Sequence, residues 1–250
     1  MARPRNLSFI PQLATGVIDG ALDLLLPAQC AYTGQPSASA LSPEAIAHLP
    51  SFQSPYCSKC MASTKEAALS CEDCRNSAYD FVAAIAPYKD WWRQLIYRVK
   101  FGHDQSPIPA FATLLADLML TEEPTPPTLL VPIPSASRRS LISGTRLPER
   151  LAKQVSQRLQ LPWSRMLISA QPRRPQRSLE RKERRALASE FFALRSLPAS
   201  VDTIWLIDDI MTTGATLRAA TECIKNAYPG LSVAAFVLAR ANKKHLDSQQ

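Results

Sequence analysis

Four unbroken apolar runs of strand length constrain this chain more than any other feature. They are FVAAIAPY at Phe81–Tyr88, TLLVPI at Thr128–Ile133, TIWLI at Thr203–Ile207 and SVAAFVLA at Ser232–Ala239. A strand with one wet face alternates apolar and polar residues. Runs without that alternation suit strands covered on both faces, as in a parallel sheet. Helical stretches stand between them: Trp91–Phe101, Phe111–Leu120, Leu147–Leu161 and Ala215–Tyr228. The alternation predicts an α/β domain over residues 81–242, a parallel sheet flanked by helices. With 250 residues, of which 46% are hydrophobic, the chain has enough apolar material for such a core.

The remainder is organised differently. Leu13–Leu26 reads as a short amphipathic helix, with Leu13, Val17, Leu24 and Leu25 toward one side and Asp19 and Asp23 toward the other. Packing on the rest of the protein is the ordinary use of such a face, and contact with a membrane surface is the alternative. The expected divisions are an N-terminal helix over 1–29, a cysteine segment over 30–80, the α/β domain, and a tail over 243–250. No apolar run approaches the roughly 20 residues that span a bilayer. Asp19 and Asp23 argue against a secretory signal, so the expected compartment is the cytosol. There, six cysteines suit metal ligation or buried thiols better than disulfides.

Four of those cysteines fall as Cys57-x2-Cys60, ten residues, then Cys71-x2-Cys74. Two such knuckles can turn four thiolates toward one point, the tetrahedral sulfur cage that zinc favours. Reduced thiols in a loop, or two independent redox pairs, are the alternatives. The segment from 27 to 80 has few large apolar residues and needs a staple, which favours the metal. A closed four-sulfur site leaves no open coordination position, so its role is structural. Cys223 reads as a small buried thiol in the last long helix, and Cys30 stands outside the quartet.

Glycine is scarce: seven, against 21 prolines. Neither G-x-G-x-x-G nor G-x-x-x-x-G-K-[ST] can be written with glycines at 16, 20, 34, 102, 144, 214 and 230, which excludes the two commonest glycine-rich phosphate loops. One glycine, however, lies in the most specific stretch of the chain, where the strand TIWLI runs into Asp208 and Asp209 and then into Met211-Thr212-Thr213-Gly214-Ala215-Thr216 before a helix. In open α/β sheets, ligands sit at the carboxyl ends of strands. Threonine hydroxyls, turn amides and a helix start make a monophosphate cradle, and Gly214 lets the backbone close on the anion. Two carboxylates beside it make sense if the ligand also brings vicinal hydroxyls and a divalent cation such as magnesium. A 5-phosphorylated ribose has that shape. A strand-end turn whose threonines cap the next helix is the alternative.

LIDDIMTTGATL resembles the phosphoribosyl-pyrophosphate motif of type I phosphoribosyltransferases. The wider chain, from about Leu22 to Arg240, resembles the ComF family: LDLLLPAQC at 22–30, Tyr88 followed by VKFG at 99–102, VPIP at 131–134, Gln176 and Leu179 with Arg184, and the acidic motif. The resemblance implies a type I phosphoribosyltransferase-like fold with a small N-terminal zinc-binding segment. Asp208 and Asp209 would hold ribose hydroxyls, and Thr212 to Thr216 the 5-phosphate of phosphoribosyl pyrophosphate or a related sugar phosphate. Arg138 and Arg139 would follow the VPIP strand near pyrophosphate, and residues 171–190, with Arg181 and Arg184, would form a flap. The chain departs from relatives at Ser143-Gly144-Thr145-Arg146-Leu147, where they carry R-G-F-N-Q, and at Leu187, where they carry Asn. These departures touch transferase catalysis more than ligand binding.

The net charge is +8, and Arg165–Glu190 supplies much of it with eight cations against three anions. A basic segment of this kind suits a phosphate backbone, or is a solvated loop. Trp91, Trp92 and Tyr97 offer rings for stacking on bases, although aromatics opening a helix beside a sheet are more often core. The ComF resemblance implies a role in natural competence, in the uptake of single-stranded DNA alongside a helicase and channel proteins at the inner membrane, with the protein cytoplasmic or peripheral there. An active phosphoribosyltransferase with an unknown acceptor is the alternative, and a regulatory module that senses a phosphoribosyl ligand is a third reading.

Overall fold

A computed structural model describes residues 29–66, 69–102, 104–122, 127–134, 146–169, 191–197 and 200–241. The expected helix at 13–26, the arginines at 138, 139, 181 and 184, the segment 171–190 and the tail lie outside the described residues. Contacts divide the chain into two compact units, 1–47 and 48–250. In the first, Gln29 and Pro36 form a bridge around a turn, and a short helix α1 spans Pro43–Ala47.

The second unit holds a four-stranded sheet. Its strands are β1 (Val82–Pro87), β2 (Leu129–Pro132), β5 (Thr203–Met211) and β6 (Ser232–Arg240), in the order β1-β6-β5-β2, all parallel. Eight of the nine residues of β6 are buried and all four of β2, as strands covered on both faces require. The helices are α2 (Asp90–Phe101), α3 (Ile108–Glu122), α4 (Leu147–Leu159) and α5 (Ala215–Ala227). Each lies within a few residues of the stretch that its periodicity predicts. Trp92 is core: fully buried, it packs edge-on against Phe111 and donates its indole N–H to the Leu238 carbonyl at 3.1 Å. Tyr97 is 58% exposed.

Two features depart from the sequence reading. A small antiparallel pair, β3 (Leu167–Ser169) with β4 (Phe192–Leu194), joins the two sides of the basic segment. Strand β5 also does not stop before the carboxylates. Its ladder with β6 continues through Asp208↔Val237 and Ile210↔Ala239 to Met211↔Arg240. Nine-residue β6 supplies partners that far, so the polar residues stay in the sheet.

Candidate phosphate cradle and cysteine knuckle

Consecutive strand residues point to opposite faces, so Asp208 and Asp209 part company. Asp209 is 4% exposed, and both its oxygens receive the Lys100 ammonium, at 2.7 and 2.6 Å. Lys100 reaches it from the last turn of α2. Asp208 is half-buried, and its Oδ1 accepts the Asp209 amide at 2.8 Å. Burial, and then the neighbouring Asp209 charge, push the Asp208 carboxyl up to about 8, with Lys100 acting in the opposite sense. One carboxylate is therefore already neutralised by the protein and the other holds a proton near neutrality. Sequence reasoning missed Lys100, which lies 109 residues from its partner.

Beyond Met211 the chain turns through Thr212 and Thr213, both exposed, to Gly214 at φ 73°. This left-handed conformation suits glycine. A Cβ built here would meet Met211 Cε at 2.5 Å. Helix α5 starts at Ala215 with Gly214 as its N-cap, and no side chain caps it in the usual way. Thr213 Oγ1 accepts only the Ala215 amide, at 3.4 Å. The exposed turn at Thr212, Thr213, Ala215 and Thr216 thus brings hydroxyls and helix-start amides to the carboxyl edge of a parallel sheet, with the positive end of the α5 dipole behind them.

The four quartet sulfurs lie within 4.8 Å of one another, and three of the four residues are buried. Their hydrogen-bond-range separations are 3.4 Å for Cys57–Cys74, 3.6 Å for Cys60–Cys71 and 3.7 Å for Cys71–Cys74. Tetrahedral zinc with sulfurs at about 2.3 Å sets them about 3.8 Å apart, so the cluster has the dimensions of a four-thiolate metal cage. The Cys71 amide also donates to Cys57 Sγ at 3.2 Å, which steadies that sulfur. Burial above all, aided by the crowding of neighbouring thiols, pushes Cys60 and Cys74 up. Four cysteine sulfurs at this spacing, three of them on buried residues, form a donor set that fits a cation. The residues can hold a metal such as zinc. Cys30 belongs to the other unit, where Ser42 Oγ lies 3.2 Å from its sulfur. Cys223 is only half-buried, its thiol donating to the Phe192 carbonyl at 3.3 Å.

Arg240, at the end of β6, was not singled out by the sequence, and neither was Arg218 in α5. Arg240 is 4% exposed. Its Nε donates to the Cys60 carbonyl at 3.0 Å, and its Nη1 to the carbonyls of Met211 at 3.2 Å, Ala241 at 2.5 Å and Thr212. Arg218 Nη1 donates to the carbonyls of Asp73 and Thr213, each at 3.1 Å. Sequence distances of 145 and 180 residues to the knuckle leave no local signal for either arginine. A cleft lined by Phe52, Tyr56, Met61, Tyr88 and Arg240, among others, opens beside this junction.

No helix among the described residues is long and apolar enough to cross a membrane. Comparison with known proteins gives likenesses to a domain family, to a bacterial protein and to solved structures. Residues 148–250 match the family model described as phosphoribosyl transferase domain. Competence protein ComFC of Bacillus subtilis (strain 168) is 29% identical over 158 residues, covering 63% of this chain; the chain in turn spans 63% of that protein's length. The crystal structure of adenine phosphoribosyl transferase from Trypanosoma brucei in complex with AMP, pyrophosphate and ribose-5-phosphate is 16% identical, with a TM-score of 0.34 over 56% of this chain and 67% of that one.

Proposed function

We propose that this chain, a ComF-family, phosphoribosyltransferase-like protein, binds phosphoribosyl pyrophosphate or a related sugar phosphate and serves single-stranded DNA uptake in natural competence. The observation that carries the binding half is the turn from Thr212 to Thr216. Its hydroxyls and helix-start amides are exposed around a left-handed glycine, one strand-end away from two carboxylates. Fixed N–H dipoles at a helix start favour a phosphate dianion and need no rearrangement to receive it. The competence half rests on the name of the Bacillus relative and on the charge of the segment around Arg181 and Arg184.

In this reading the two carboxylates have separate tasks. Asp209, locked by Lys100, fixes the end of β5 and lends the site no net charge. Asp208 accepts a ribose hydroxyl, or gives up its proton to share magnesium with the ligand's phosphates. A single carboxylate plus substrate phosphates is the usual way magnesium is held. Arg138 and Arg139 would meet pyrophosphate. Zinc on Cys57, Cys60, Cys71 and Cys74 supplies a structural cross-link and no reacting group. Its closed sulfur shell leaves the sugar phosphate to the protein's own donors.

Calorimetry tests both halves on wild type and on Asp208→Ala/Asp209→Ala. The titrants are phosphoribosyl pyrophosphate with magnesium and, separately, a single-stranded oligonucleotide at two salt concentrations. The expected result is sugar-phosphate binding to wild type that the double variant loses, with salt-sensitive DNA binding kept by both. Absence of sugar-phosphate binding to the wild type contradicts the pocket, and absence of DNA binding contradicts the uptake role. Pyrophosphate release on adding an amine or base acceptor would move the protein to the transferases.

A further inference from the structure

The cradle and the cysteine knuckle are joined by two side chains, and their geometry makes the knuckle more than a distant staple. We propose that Arg218 and Arg240 are positioning residues that couple the metal state of the knuckle to the shape, and hence the ligand affinity, of the Thr212–Thr216 turn. This rests on the reading of that turn as a sugar-phosphate site.

Each arginine holds one carbonyl of the knuckle and at least one of the turn. Arg218 Nη1 binds the Asp73 carbonyl, between Cys71 and Cys74, and the Thr213 carbonyl, one residue before Gly214. Arg240 binds the carbonyl of Cys60 itself through Nε and those of Met211 and Thr212 through Nη1. Arg240 spans its carbonyls from two nitrogens of one planar, rigid guanidinium, whose fixed spacing transmits a displacement at one carbonyl to the others, and Arg218 bridges its two carbonyls through Nη1. Both knuckles are therefore tied to the three residues that lead into Gly214, Met211, Thr212 and Thr213. Tyr79, 1% exposed, fills the space between. Its hydroxyl lies 3.6 Å from where a Gly214 Cβ would stand and has no completed hydrogen bond.

If the metal fixes the knuckle carbonyls, it fixes the arginines, and the arginines fix the turn. Linkage makes the effect mutual: a sugar phosphate that favours the ordered turn must also favour metal retention. A role for the arginines in stability alone would lower the melting temperature and leave metal release indifferent to the ligand. Charge alone would be retained by lysine at position 240, which cannot hold the Cys60 and Met211 carbonyls from two fixed nitrogens.

The test is the rate at which a chromophoric chelator strips zinc from the loaded full-length protein, with and without saturating ribose 5-phosphate and with no magnesium present. Hydrogen exchange at the amides of 212–216 is followed alongside, before and after stripping. In wild type, ribose 5-phosphate should slow release about 5- to 150-fold, the ordinary range of coupling between sites, and stripping should speed exchange in the turn. In Arg218→Ala and Arg240→Lys, ligand should change release less than about twofold, against the range expected of wild type. Arg218 is less buried than Arg240, so Arg218→Ala keeps the test available should Arg240→Lys fold poorly. Bound ribose 5-phosphate that leaves wild-type release unchanged overturns the coupling, as does full coupling in both Arg218→Ala and Arg240→Lys. If wild type binds no ribose 5-phosphate while exchange in the turn still follows the metal, the coupling stands and the sugar-phosphate reading falls.

Discussion

Replacing Gly214 with alanine loads the cradle at its tightest point. At φ 73° a residue with a Cβ sits in the left-handed region, at a cost of about 1–2 kcal/mol. The new Cβ would stand 2.5 Å from Met211 Cε, while Arg218 Nη1 and Tyr79 OH, at 3.6 Å, are in ordinary contact. Met211 is 3% exposed but ends in a flexible chain, so relief means leaving its preferred rotamer, at about 0.5–1.5 kcal/mol. Together these come to about 1.5–3.5 kcal/mol, which must surface in one of two places. If the turn keeps its shape, the folded state absorbs the cost. For a unit of this size that lowers the melting temperature by about 2–4 °C per kcal/mol, or about 3–14 °C. If the turn relaxes, its amides leave the phosphate and affinity falls by about tenfold per 1.4 kcal/mol. Thermal unfolding and calorimetry with ribose 5-phosphate should show losses that add up to the same total. Gly230→Ala is the control: φ is 98° and nothing lies within 4 Å, so it should lose stability and keep affinity. A Gly214→Ala protein that melts within 1 °C of wild type and binds within a factor of about two refutes the reasoning.

Three further perturbations follow from the same geometry. Lys100→Met strands the buried Asp209 carboxylate and should cost about 3 kcal/mol in urea unfolding, at the lower end for broken buried pairs because Lys100 keeps a quarter of its side chain exposed; Lys100→Met/Asp209→Asn should recover most of it. Asp208 binds its proton more tightly folded than unfolded, so its contribution to stability is complete below about pH 4 and is lost as pH rises toward about 8. Asp208→Asn should therefore melt a few degrees above wild type at pH 8, with the gap closing toward pH 4. Stripping metal from the quartet should lower the melting temperature by about 8–16 °C, taking about 4 kcal/mol for a site held a thousandfold above its dissociation constant, because Cys57, Cys60 and Cys74 share one core cluster with Tyr79, Val82 and Met211. A metal assay that finds none bound to wild type removes that claim.

Much of the fold was legible because the deciding signals were local. Apolar runs without alternation gave the four parallel strands, and helical periodicity gave α2 to α5 within a few residues. The spacing of the two C-x-x-C pairs anticipated sulfurs that meet. The extension of β5 through Asp208 to Met211 was not legible, because carboxylates look like a strand end until a longer neighbour offers partners. Neither was the division of labour between the carboxylates. Adjacent aspartates in sequence resemble a pair, yet a strand sends them to opposite faces, where only Asp209 meets Lys100. The three residues each of β3 and β4 carry too short a pattern to be noticed. Arg218 and Arg240 look like surface charge until folding brings carbonyls from 28 to 180 residues away to one guanidinium.

The most direct measurement is a titration of the isotope-labelled protein with ribose 5-phosphate, followed by amide chemical shifts. The cradle requires the largest and saturable changes at Thr212, Thr213, Gly214, Ala215 and Thr216, with smaller ones at Asp208 and Asp209. Shifts that gather elsewhere, or a spectrum unmoved at millimolar ligand, contradict it.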